Sequence, residues 1–220
     1  MIPLSTGAIA SIAAIGAHCN DIMVGAGATL LQIADRNPDV VVHALVLTGA
    51  GTAREVEEKN AFAALLPEVD VRLTVAELSE GNLPEEWGSV KRRLAEFRRR
   101  CQPDLVLGPH RDDRHQDRRL VAQLIPSEFR AHLVLGYEIL KWESDLLKPT
   151  LYVEIPTRIA QQKAKLLEQC YPSQSQRGWF DDEAFLGLMR VRGVQCRAQY
   201  AEAFAGEKAV VSPFGVHSLN

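Results

Sequence analysis

The chain has 220 residues, 46% of them hydrophobic, and a formal net charge of −3. That length favours one sizeable core over two domains; a charge so near balance leaves no basic footprint for nucleic acid, and the longest apolar runs are too short to span a bilayer. Four scattered cysteines (Cys19, Cys101, Cys170 and Cys196) include no C-x-x-C pair, which fits reduced thiols in a cytoplasm better than a disulfide frame or zinc knuckle, and Met1–Ser5 lacks the basic region of a secretory signal.

In chain order, the apolar run Ala8 to Ile15 predicts a buried central strand ending at Gly16, and Ile22 to Ala34 predicts a helix rich in small residues. Val40 to Thr48 is β-branched and predicts a second buried strand, closed by Gly49-Ala50-Gly51. Thr52 is placed to cap a helix from Ala53 to Leu66, with Glu55, Glu57 and Glu58 in early turns where the helix dipole favours acids. Val69 to Val75 alternates as a strand with one wet face, and Pro84 suits the first position of an amphipathic helix reaching about Arg100. Its basic run, Lys91 to Arg100, reads as a solvated helix face. Leu105 to Gly108 predicts a short buried strand, followed by the polar cluster Pro109 to Arg119 and a helix from Leu120 to about Arg130. Strands alternating with helices at these intervals predict a three-layer α/β sandwich with a mainly parallel sheet. In the last third, His132 to Trp142 and Leu151 to Ile155 read as strands, and Arg158 to Gln169 and Asp182 to Ala203 as helices. Residues from about 132 to 220 are taken as an extension of one domain, covering one end of its sheet.

Two strand-to-helix corners carry the chemistry. In the first, Ala17-His18-Cys19-Asn20-Asp21, an imidazole and a carboxylate three residues apart can converge on one point, as a pair of metal ligands would, or can simply cap a helix. The second is Pro109-His110-Arg111-Asp112-Asp113-Arg114-His115-Gln116-Asp117-Arg118-Arg119. The run Gly25-Ala26-Gly27-Ala28-Thr29-Leu30 imitates a dinucleotide fingerprint, but its third glycine position is Leu30 and its glycines fall inside the predicted helix, so NAD is rejected. Cys19, beside a buried strand end, is read as packing; Arg111, Arg114 and Arg119 as surface, or as contacts for an anionic ligand.

Side by side, the corners resemble the PIG-L (LmbE-like) family of zinc-dependent N-acetyl amino-sugar deacetylases. Ala17-His18-Cys19-Asn20-Asp21 is similar to its A-H-P-D-D motif, His115-Gln116-Asp117-Arg118 to its H-x-x-H motif, and Tyr200-Ala201-Glu202-Ala203-Phe204 to a common family ending. The resemblance implies a Rossmann-like fold and a sugar-like small-molecule ligand, with no nucleic-acid or membrane partner. It matches His18 and Asp21 to zinc ligands, His115 to the group that stabilises or protonates the tetrahedral intermediate, and Asp117 to the acid that orients that histidine. Arg54 is similar in place to a substrate-contacting arginine, and His110 is a further candidate to bind substrate. Two positions depart from the pattern. Asn20 stands where the family has its general base, and a carboxamide cannot take a proton from water near neutrality. Arg118 stands at the third ligand position, and a guanidinium has no lone pair to offer a metal. Zinc is therefore expected to be weak or absent, with Arg118 or another basic group of the second corner paired to Asp21 instead. Three alternatives stay open: Arg118 turns to solvent and His110 supplies the third ligand; the pocket runs a metal-free reaction; or the chain binds without catalysing, pairing with itself or with an active relative. An engineered loss of the base would account for Asn20 but not for Arg118.

Overall fold

The computed structural model describes residues 4–210; Met1-Ile2-Pro3, part of the segment weighed as a signal, lie outside the described residues. In chain order the elements are β1 (Ser11–Gly16), α1 (Asp21–Arg36), β2 (Val41–Thr48), α2 (Ala53–Leu65), β3 (Asp70–Leu78), α3 (Trp87–Arg100), β4 (Leu105–Pro109), α4 (Gln116–Glu128), β5 (Leu133–Tyr137), β6 (Leu151–Ile155), α5 (Thr157–Cys170), α6 (Asp182–Cys196) and β7 (Tyr200–Gly206). The strands form one sheet in the order β3-β2-β1-β4-β5-β7-β6, parallel from β3 to β5, with β7 antiparallel to both β5 and β6.

Both faces of the sheet are covered, which is why its central strands are apolar without alternation. Ile12 and Ala14 pack toward the layer of α1, α2, α5 and α6, while Ala13 and Ile15 pack toward α3 and α4. The edge strand β3 keeps the alternation expected of one wet face. From β1 the chain moves outward to β2 and β3, then returns to β4 on the other side of β1. Where strand order reverses in this way, loops at the carboxyl ends of adjacent strands diverge and leave a crevice. The loops leaving β1 and β4 are the two motif-bearing corners, so topology alone sets them side by side.

Several expected boundaries moved for identifiable reasons. The segment Asp182 to Ala203 is not one helix. Arg197 takes a left-handed φ of 67° after α6, and Ala198 N–H bonds back to the Gly193 carbonyl. Gly193 permits the reversal, because a Cβ there would lie 2.6 Å from the Gln199 carbonyl oxygen. Ala201-Glu202-Ala203 favours helix locally, but burial of Ala201, Ala203 and Phe204 and pairing with two strands outweigh that preference. Helix α3 starts at Trp87, not at Pro84, because residues 82–86 close two turns first. Strand β5 ends at Tyr137, short of the expected Trp142. Glu57 and Glu58 are buried, not solvated dipole partners: Glu57 accepts from the Ser173 N–H and hydroxyl, and Glu58 from the Tyr171 hydroxyl.

Helix α1 is tied to the C-terminal strands. Lys163 Nζ donates to the Val24 carbonyl at 2.6 Å, and the Glu202 carboxylate accepts from the N–H groups of Ala28 and Thr29 at 3.0 and 2.7 Å. The two groups that would pair in an ideal helical turn, Val24 C=O and Ala28 N–H, are thus each taken by a side chain. Lys163 and Glu202 also pair with one another at 2.6 Å. Gly25 lets this turn approach the sheet, since any Cβ there would collide with the buried Tyr137 ring. That ring is pinned in turn by its hydroxyl, which donates to the Ile15 carbonyl at 2.6 Å.

Candidate functional site

Gly16 ends β1, and Asn20 turns the chain into α1 with a left-handed φ of 89°, a conformation that asparagine accepts more readily than most residues. This turn folds the Asp21 side chain back over the strand end, where its Oδ2 accepts from the N–H groups of Ala17 and His18 at 3.1 and 3.0 Å. At the second corner the expected helix start was late. Helix α4 begins at Gln116, so His115 is its N-cap and Asp117 and Arg118 project from its first turn. The His115 Nδ1 accepts the Asp117 N–H at 3.3 Å, which leaves the ring proton of neutral His115 on Nε2.

The corners meet through two side-chain bridges. Arg118 directs Nε and Nη2 at the Asp21 Oδ1, at 3.1 and 2.8 Å. Both partners are buried, Asp21 fully and Arg118 to 8% exposure. Burial by itself would raise the Asp21 carboxyl, but the Arg118 guanidinium, His18 and the N–H bonds hold it below the usual carboxylate range. The second bridge joins His18 Nε2 to Asp117 Oδ2 at 2.9 Å. Asp117 also accepts from the N–H groups of Gly81 and Leu83. Asp117 was expected to orient the His115 ring; its carboxylate instead holds His18 and the turn before α3, while His115 sits edge-on to His18 with ring centroids 4.7 Å apart. Burial, and then the neighbouring His18 and Arg118, lower the His115 pKa, so it is a neutral imidazole at pH 7.

Asn20 is buried, and its side chain makes no helix-cap bond. Its N–H donates to Glu58 Oε2 at 2.7 Å. Glu58 is a site residue that sequence reasoning missed: its carboxyl is fully buried, one oxygen has no partner, and burial pushes it up to about 7. No local signal distinguishes it from Glu55 or Glu57; only tertiary contact does. Arg54 is partly exposed, donating through Nη2 to the Cys19 carbonyl and lying 3.7 Å from Glu80. Cys19 is buried, its thiol pushed up to about 12 by burial and by Glu58. Arg54 and His115 are the partly exposed members of the group; His18, Asn20, Asp21 and Asp117 are closed off.

Asp21, which the resemblance matches to a zinc ligand, has no free oxygen to offer an ion. Both Asp21 oxygens are committed, one to two backbone N–H groups and the other to a guanidinium, and the third position is that guanidinium itself. Nor does His110 stand in as third ligand, because its ring groups with Asp113 and Asp145 and not with His18. The donor set beside Asp21 that could take an ion is His18, His115 and Asp117.

A model of the PIG-L family, described as GlcNAc-PI de-N-acetylase, matches residues 13–127. Solved structures resemble the chain over nearly its whole length. The 4-carboxy-2-hydroxymuconate hydratase GalB from Pseudomonas putida KT2440 superimposes with a TM-score of 0.76 at 20% identity, covering 94% of this chain and 99% of that one. The N,N'-diacetylchitobiose deacetylase from Pyrococcus horikoshii gives 0.69 at 19% identity, covering 94% and 88%. A zinc inhibited form of the teicoplanin deacetylase Orf2 gives 0.68 at 16% identity, covering 93% and 100%. At these identities the likeness speaks for the fold alone.

Proposed function

This chain belongs to the PIG-L family, and on that premise we propose that it descends from hydrolases of N-acyl amides on amino sugars or related small glycosides but has lost most or all zinc-dependent activity. The observation that supports the reading is the buried Arg118–Asp21 pair, a fixed positive charge against the carboxylate that the resemblance matches to a zinc ligand. Asn20 agrees with it: without an activated water there is nothing for a base to deprotonate, and loss of a positioned base alone costs about 10²- to 10⁴-fold. The chain remains a binder of a sugar-like small molecule, with the partly exposed Arg54 and His115 as its contacts, in a cytoplasmic setting that suits its four unpaired cysteines.

The test compares wild type, Asn20→Asp, Arg118→His and the double variant for acetate release from a panel of N-acetylated amino sugars. It also measures the zinc that His18→Ala removes. Wild type should release little or no acetate and hold much less than one equivalent of His18-dependent zinc. The double variant should do both and neither single variant should suffice, because residues that act as one unit are strongly non-additive. Robust acetate release by the wild type would overturn the reading.

A second reading rests on a different observation. The His18–Asp117 bridge beside a neutral, partly exposed His115 is an acid–base arrangement that needs no metal. Hydration chemistry, the activity named for one structural relative, would use such a group. Turnover that survives exhaustive chelation and disappears in His115→Ala would favour this reading over a binding protein.

A further inference from the structure

Behind the site, and independent of the function proposed for it, lies a second cluster. His110 follows β4, is 2% exposed, and has no hydrogen-bond partner on either ring nitrogen. Its Nε2 points at the Asp113 Oδ2, 4.0 Å away, an oxygen that makes no directed hydrogen bond and faces only the Lys141 ammonium, at 3.2 Å. Asp145 approaches from the irregular stretch between β5 and β6, its Oδ2 accepting the Arg114 N–H at 2.7 Å. One donor atom from each of His110, Asp113 and Asp145 lies within 4.8 Å of the others. The cation among them is the Lys141 ammonium, 2.6 Å from Asp145 and 3.2 Å from Asp113.

We propose that His110, Asp113 and Asp145 form a divalent-metal site of the zinc class, in which the ion exchanges with the Lys141 ammonium. Lys141 meets the carboxylates but leaves the imidazole unused. An ion that accepts a nitrogen lone pair satisfies all three groups at once. One imidazole and two carboxylates are a normal donor set for such an ion, with water as the fourth ligand. Two carboxylates balance a dication, whereas a single ammonium leaves one negative charge over. Displacing Lys141 is feasible because its four-carbon stem can carry the ammonium out to solvent while the methylenes stay packed. A bound ion would clamp the stretch after β5 to the corner that carries His115 and Arg118. No step of the chemistry proposed above runs through it.

The test is metal uptake by the full-length, metal-free protein. Zn²⁺ and Co²⁺ are titrated separately, with stoichiometry from elemental analysis after dialysis and the Co²⁺ visible spectrum as a report on coordination. Wild type should take one equivalent. Affinity should rise at least tenfold in Lys141→Met, fall at least tenfold in His110→Ala and Asp145→Asn, and stay unchanged in His18→Ala. Nitrogen NMR of the imidazoles in unmutated protein should show a zinc-induced shift at His110 and not at His18, which keeps the test open if a variant misfolds. No uptake by wild type or Lys141→Met would overturn the site. Uptake lost in His18→Ala but kept in His110→Ala would also overturn it, and would in addition count against the loss of zinc proposed for the first site. The two failures are therefore distinguishable.

Discussion

Replacing Arg118 by methionine tests whether its charge is structural in the way the geometry requires. The substitution keeps an unbranched apolar stem but removes the guanidinium and with it both donors to the Asp21 Oδ1. Asp21 has no solvent to turn to, being fully buried, and its other oxygen already serves Ala17 and His18. Removing one partner of a buried ion pair strands the other charge, at a cost of about 3–5 kcal/mol. For a chain of this size that corresponds to a fall in melting temperature of roughly 6–20 °C. The assay is urea denaturation at pH 7 of wild type, Arg118→Met, Asp21→Asn and the double variant. The double variant, with no charge left to strand, should be clearly more stable than the sum of the single losses requires, giving a coupling of roughly 1–3 kcal/mol. A loss below about 1 kcal/mol in Arg118→Met would refute the reasoning, because that is the worth of an exposed pair whose members are free to hydrate separately.

Glu58 sets a pH dependence. Burial raises its folded pKa from 4.5 to about 7, so its stabilising contribution is complete below the unfolded value and is lost as pH rises through about 7. Wild type should therefore lose about 3 kcal/mol of unfolding free energy from this group between pH 5 and 9, and Glu58→Gln should flatten that slope in denaturation curves taken across the range. A pair of glycines in α1 separates packing from propensity. Gly25→Ala should destabilise by about 2 kcal/mol net, because the methyl meets the anchored Tyr137 ring. Gly27→Ala, whose methyl would make ordinary contact with Leu65 and Lys163 side-chain atoms at 3.7 Å, should stabilise by about 1 kcal/mol through helix propensity. Calorimetry on the two variants checks the opposite signs.

The strands β1, β2 and β4 and the helices after them follow from short-range pattern: apolar runs of the right length, ended by glycine or a polar corner. The Arg118–Asp21 pair was also legible, because the motif resemblance sets position 118 beside Asp21 and charge complementarity then names the partner. What sequence did not carry were contacts between residues far apart in the chain. Tyr200–Gly206 has a helical composition and becomes a strand because β5 and β6 leave a slot between them that only an extended segment fills. Asp117 was matched with its motif neighbour His115, yet starting α4 at Gln116 rotates its carboxylate toward His18 on the other corner. Glu58 and Tyr171 meet beneath Asn20, and His110 meets Asp145, through packing of elements that nothing in their local sequence pairs. Periodicity and motif spacing are properties of adjacent residues and survive in the linear text. Which carboxylate reaches which donor depends on helix rotation and strand order, and those are decided only when the two layers close on the sheet.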